Sequence, residues 1–259
     1  MFPISLSNEI NDAPQSIVLA GNGAFVKFTN NLYTTHRPLK DQLKMFDLPE
    51  VTESVQISIP TIPYKIFLTF LDFARKVYKK HKGEAVILLT LNHEKPFEAE
   101  NFKVRVPEQK VTGGHINYTV VTNEFDPGEF LVGSIHSHPS FGASQSATDS
   151  NDEINFDGIH ITVGHIENKC DLHARFCCLG KSYTIEENNI PNYIVTLPIR
   201  ETIDCPDEWM KRVSEPSNVV ALKQYRDYKS LTTTFVDLIL KPFESRNTKE
   251  SKKLVAWEF

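Results

Sequence analysis

The sequence predicts an α/β fold, a mixed β-sheet flanked by helices, and three observations carry that expectation. Across residues 61–82, Ile66, Phe67, Phe70, Leu71, Ala74, Val77 and Tyr78 recur at three- and four-residue intervals, which makes one apolar face of a helix. Residues 85–91 follow at once as a near-continuous apolar run of strand length, the pattern of a strand covered on both faces. Further β-prone runs recur at 102–106, 116–121, 130–135, 159–163 and 172–179.

Taken in order, residues 17–20 and 24–28 read as a hairpin joined by Gly21-Asn22-Gly23, since Asn and Gly tolerate the positive φ of tight turns. A phosphate loop is the rival meaning of those glycines, but the GxGxxG spacing and a following helix are missing. In the helix at 61–82, Thr61 is the expected cap, Pro63 suits the first turn, and Gly83 is the expected left-handed terminator. Lys79, Lys80, His81 and Lys82 place positive charge at the negative helix end. The run at 130–135 leads straight into His136, and residues 146–156 read as a short acidic helix. Beyond Pro191 the pattern weakens: 207–213 and 219–228 suggest short helices, 232–240 has mixed signals, and 245–253 is polar before an apolar end.

The chain has 259 residues, 40% of them hydrophobic, enough for one substantial core with additions. A net charge of −5 argues against a general nucleic-acid or anionic-membrane surface. Residues 1–12 lack a basic flank followed by an apolar segment, and no run approaches the roughly 20 apolar residues of a membrane span, so a cytoplasmic protein is expected. Cys170, Cys177, Cys178 and Cys205 contain no CxxC pair, and free thiols are expected. A second zinc site from Cys170, Cys177, His165 and His173 competes with their simpler reading as packing and surface residues.

The chemistry concentrates in His136-Ser137-His138-Pro139 and, six residues on, Ser146-Ala147-Thr148-Asp149. Side chains two apart on a strand point the same way, so both imidazoles can reach one ion. The intervening loop is long enough for Asp149 to return to them from the next helix. His136, His138 and Asp149 then form a donor set that suits zinc with one position open, although the donor types also suit other divalent ions. The simpler alternatives are polar strand histidines and a helix cap made by Ser146 and Asp149. A calcium loop through Asp149, Asn151 and Glu153 is disfavoured because Ile154 stands where its sharp turn needs Gly.

Together with Glu84, this stretch resembles the signature of the JAMM metallopeptidases, also called the JAB/MPN+ family: Glu, a long gap, His-Ser/Thr-His-Pro, six residues, and Ser-x-x-Asp. Residues 157–164 resemble a strand segment of its prokaryotic branch. The resemblance implies a JAB/MPN-like curved mixed sheet flanked by helices, with a core at 61–180, an extension at 1–60 and an accessory region at 181–259. It also implies that His136, His138 and Asp149 bind Zn2+, that Glu84 is the general base, and that Ser146 steadies the oxyanion. Glu94, Glu98, Glu100, Glu124 and Glu129 also precede the histidines. Glu84 is preferred because it enters the strongest apolar strand beside Gly83, where a solvated surface charge is less expected than a cleft carboxylate; a charge at the strand's edge is the simpler alternative. His115 reads first as a structural or solvent-facing residue, with approach to the expected cleft as the alternative, and His160, His165 and His173 read the same way, one or more of them able to orient ligand groups.

The function expected from this resemblance is zinc-dependent hydrolysis of a peptide or isopeptide bond, with a ubiquitin-like protein or a peptide tail as the partner. A metal-containing assembly module without turnover is the alternative class, and hydrolysis of a small amide is a third reading.

Overall fold

Buried and half-buried residues alternate along residues 15–20, the period of a half-covered strand. The computed structural model describes residues 2–39, 47–112, 115–144, 146–167, 170–194 and 202–215, and the chain divides into two units between Ser58 and Ile59. The first unit is one sheet of five strands, β1 (Ile4–Leu6), β2 (Gln15–Ala20), β3 (Gly23–Thr29), β4 (Tyr33–Pro38) and β5 (Ser54–Ile57), in that spatial order. Only β1 and β2 run parallel. Val18, Ala20 and Phe25 form its buried cluster, with Val51 packed against them.

The expected hairpin is β2 and β3, but its turn works differently from the sequence expectation. Gly23 alone of the three turn residues has positive φ, at 136°. Gly21 is needed for space, since a Cβ there would lie 2.1 Å from the Leu48 carbonyl oxygen. Asn22 then pairs with the same segment, donating to the Val51 carbonyl at 2.8 Å and accepting from the Val51 N–H at 3.0 Å.

The second unit begins with α1 (Tyr64–His81), whose Phe67, Phe70, Leu71, Phe73, Ala74 and Val77 are buried. At roughly 1.5–3 kcal/mol for each large apolar side chain, this stripe stabilises the helix far more than its caps do. Both expected caps are corrected. Pro63, not Thr61, is the N-cap, and Lys82 takes the left-handed conformation at φ 55°. Gly83 serves close approach instead: a Cβ there would meet the Thr112 carbonyl oxygen and Val111 Cβ, each at 2.8 Å.

The strands of this unit are β6 (Val86–Asn92), β7 (Lys103–Arg105), β8 (Gln109–Thr112), β9 (His115–Tyr118), β10 (Glu129–His138), β11 (Gly158–Gly164), β12 (Asp171–Cys178), β13 (Lys181–Ile185) and β14 (Val213–Ser214). Six of them form the main sheet in the order β13-β12-β11-β10-β6-β7, and β14-β8-β9 form a smaller one. The fold is thus mixed α/β, and the main sheet continues through β13, past residue 180. β6 is buried along its whole length, as the apolar run implies. The strand expected at 116–121 ends at Tyr118 and gives way to a 3-10 turn, Thr122–Glu124. The run at 102–106 is likewise shortened to β7.

β10 pairs antiparallel with β6 on one side and parallel with β11 on the other. A parallel pair needs a crossover of a dozen or more residues, and residues 139–157 provide it with α2 (Ala147–Glu153), shorter than the 146–156 expected. The helix expected at 207–213 is α3 (Asp207–Lys211); Trp209 meets Phe73 of α1 edge-on at 5.5 Å. Expectations for 219–228, 232–240 and 245–253 lie outside the described residues. All four cysteines are free, and no helix among the described residues is long and apolar enough to cross a membrane.

At the far end of β10, Glu129 accepts from Thr90 Oγ1, from Arg105 Nε at 2.8 Å and Nη2 at 2.5 Å, and from the Asp126 N–H at 2.9 Å. Burial alone would raise its pKa, but the Arg105, Thr90 and Asp126 bonds outweigh it and hold the carboxyl down at about 2. A depressed folded-state pKa contributes stability above the unfolded value, and that contribution is lost as pH falls through the folded value. Glu129→Gln is expected to destabilise the protein by about 2 kcal/mol near pH 7. The deficit should shrink as urea unfolding of both proteins is repeated from pH 5 down to pH 2.

Candidate metal centre

His136 and His138 lie two apart at the end of β10, so their imidazoles leave the same face, with ring centroids 5.1 Å apart. Asp149 arrives from the first turn of α2. Its position is set by a reciprocal cap: the Asp149 N–H donates to Ser146 Oγ at 3.1 Å, and the Ser146 N–H donates to Asp149 Oδ2 at 2.8 Å. Asp149 Oδ1 lies 3.9 Å from His136 Nε2, and Asp149 Oδ2 lies 3.8 Å from His138 Nε2. One ligand atom from each of the three lies within 4.8 Å of the others, spacing that fits a shared cation. Among the described residues this is the one such group; Cys170, Cys177, His165 and His173 do not gather into a second.

The donor chemistry matches that geometry. His138 Nδ1 donates to the Gly142 carbonyl at 2.9 Å, which leaves Nε2 as its lone-pair nitrogen. The loop that offers this carbonyl is itself tied down, by the Ala143 N–H to Asp171 Oδ2 at 2.9 Å and by the His165 N–H to the Phe141 carbonyl at 3.0 Å. Burial drops the His136 pKa to about 4, so this imidazole is neutral at pH 7. Burial also acts downward on His138, but Asp149, Gly142 and Glu84 outweigh it and leave its pKa raised. Asp149 is held well below the ordinary carboxylate range because His138, His136 and Ser146 outweigh the effect of its burial.

Glu84 is 4% exposed, and burial pushes its pKa up to about 7 against the pull of His138, with Asp149 adding to the rise. It is therefore in electrostatic reach of two members of the triad. Its placement comes from Ser137, the residue between the histidines, whose side chain faces the opposite way. The Ala85 N–H donates to Ser137 Oγ at 3.0 Å, and the Ser137 N–H returns a bond to the Ala85 carbonyl at 2.9 Å. Gln109 does the same for Val86, accepting its N–H and donating to its carbonyl, each at 3.0 Å. Ser137→Ala leaves a buried N–H without its acceptor and is expected to lower stability by about 1–3 kcal/mol, read from the denaturant midpoint.

Ser146 is exposed, and its hydroxyl donates to Asp149 Oδ2 at 2.7 Å. It stands beside the triad through Asp149. His115 lines a small cavity of about 30 Å³, shared with Tyr118, Ser134, His136, Asp149 and Glu153. His160 is buried, with Ser134 Oγ 2.8 Å from its Nδ1 and the Phe156 carbonyl accepting from Nε2 at 3.0 Å. His165 pairs with Asp171 at 2.9 Å. The sequence reading missed Ser137 and Gln109 as positioning groups, and it missed Glu153 beside His136. The one signal for Glu153 was its i+4 spacing from Asp149 on a helix.

The fold and the triad define an α/β protein with a candidate metal centre. No family model matches the chain, and no curated protein matches it. Solved structures do resemble it. A JAB1/MPN domain protein from Archaeoglobus fulgidus is 20% identical, with 53% of this chain and 99% of that one covered and a TM-score of 0.31. A protein from Desulfitobacterium hafniense is 18% identical over 52% of this chain and 91% of its own, with a TM-score of 0.38. One from Salinibacter ruber is 15% identical over 56% and 95%, with a TM-score of 0.32.

Proposed function

We propose that the protein is a zinc-dependent hydrolase of a peptide or isopeptide bond, with a ubiquitin-like protein or a peptide tail as substrate. The observation that carries this reading is the His136, His138 and Asp149 triad within 4.8 Å, with a buried Glu84 in its field. His136 Nε2, His138 Nε2 and an Asp149 oxygen would hold the ion. When bound, it supplies Lewis-acid polarisation of the scissile carbonyl and makes water acidic enough to attack near pH 7. Glu84 takes the proton from the attacking water and delivers it to the leaving nitrogen. A carboxyl that titrates near neutrality is suited to both transfers. Ser146 holds Asp149 in place and, as the capping hydroxyl bonded to a member of the triad, is the group proposed to meet the developing oxyanion.

Two measurements test this reading in order. Purified protein prepared with excess zinc is expected to retain one ion per chain. It should then cleave a ubiquitin-like fusion, with the cleavage suppressed by a chelator and restored by zinc. Stoichiometric zinc with no hydrolysis of fusions or isopeptide conjugates would favour the assembly-module reading.

A further inference from the structure

Glu153 is a buried acid that the proposed chemistry does not use. It closes α2 one helical turn after Asp149, so the two carboxylates share a face of the helix. They flank a single imidazole. Asp149 Oδ1 lies 3.9 Å from His136 Nε2, and Glu153 Oε1 lies 3.5 Å from His136 Nδ1. At 4% exposure an isolated carboxylate would be strongly disfavoured, and Arg175 Nε donates to its other oxygen at 2.5 Å. Arg175 belongs to β12, is 6% exposed, and also donates through Nη1 to Ser150 Oγ at 3.0 Å. One guanidinium thus ties two positions of α2 to the main sheet. On the opposite side of the ring, Thr162 Oγ1 lies 3.3 Å from His136 Nε2.

We infer that Glu153 and Arg175 are positioning residues of the metal centre. Glu153 accepts the Nδ1 proton of His136 and so reserves Nε2 for the ion, while Arg175 fixes both Glu153 and the helix that delivers Asp149. The inference rests on the proposed function only in taking the triad to bind a cation. At 3.5 Å the contact is longer than a charge-assisted hydrogen bond, and the proposed bond forms when it closes by about 0.5 Å. Carboxylate partners of this kind raise the basicity of a ligating imidazole and set its tautomer, and losing one weakens metal binding about 10–100-fold.

The test uses the full chain with zinc alone, and with cobalt(II) as a visible probe of the coordination geometry. Zinc affinity is measured by chelator competition in wild type, Glu153→Gln, Arg175→Met and Arg175→Lys, alongside urea unfolding of each metal-free protein. Glu153→Gln is expected to bind zinc about 10–100-fold more weakly and to shift the cobalt absorption bands. Arg175→Met should weaken binding similarly, with Arg175→Lys between it and wild type. Wild-type affinity and an unchanged cobalt spectrum in a folded Glu153→Gln protein would overturn the inference and leave the proposed function standing. If Glu153→Gln does not fold, Arg175→Lys decides: unchanged affinity there overturns the inference. Wild-type protein that takes up no stoichiometric metal would overturn both readings.

Discussion

Glu84→Gln is expected to reduce hydrolysis about 10²–10⁴-fold while leaving one zinc per chain. The substitution keeps the size and one oxygen of the side chain but removes the group that exchanges a proton. The triad does not include Glu84, and its ligand atoms are positioned by β10, α2 and the 139–144 loop. Metal content and activity should therefore separate in this variant. Replacing a buried carboxyl, whose pKa is already raised to about 7, with a neutral amide should change folding stability little at neutral pH. The assay is turnover of a fusion substrate beside metal analysis of the same preparation. Wild-type turnover with zinc bound would remove Glu84 from the mechanism.

Asp149→Ala is expected to lose the ion and to weaken α2 as well, because one carboxylate serves both purposes. Its oxygens face His136 and His138 at 3.9 and 3.8 Å, and Oδ2 also accepts from the Ser146 N–H and hydroxyl. The lost cap costs about 1 kcal/mol. Metal loss removes a further stabilisation that grows with the free ion, about 2.7 kcal/mol at a hundred times the dissociation constant. Ser146→Ala separates the two effects, since it removes capping bonds and no ligand. Melting curves with and without zinc should show a metal-dependent rise in wild type and Ser146→Ala, and none in Asp149→Ala. A zinc-dependent rise in Asp149→Ala would exclude it as a ligand.

The candidate centre was legible in the sequence to the extent that it is local. The His136 and His138 pair follows from the period of a strand, and Asp149 from a loop-and-helix return of only a few residues. Both inferences need only element type, which the β-prone run at 130–135 and the short acidic helix at 146–156 supply. What stayed hidden depends on contacts between distant segments. Glu153 meets Arg175 across 22 residues and Gln109 meets Val86 across 23, through side chains that have no local pattern. From the sequence, Gly83 reads as a helix terminator because left-handed geometry is the commonest use of glycine there. Its actual neighbour, the Thr112 carbonyl, comes from a strand with too few apolar residues to stand out. β4 escaped for a related reason, since Thr35, buried in its interior, satisfies its hydroxyl on the Ser54 carbonyl at 2.8 Å.

The reciprocal bonds between Ser137 and Ala85 tie the strand carrying both histidines to the residue next to Glu84, across 52 positions of sequence. Separating these two segments therefore takes Glu84 away from His136 and His138 in the same event that breaks the middle of the main sheet. Amide exchange at Ala85 and Ser137 should then require the large openings typical of core strands, and the ion should leave slowly from a site that does not breathe on its own.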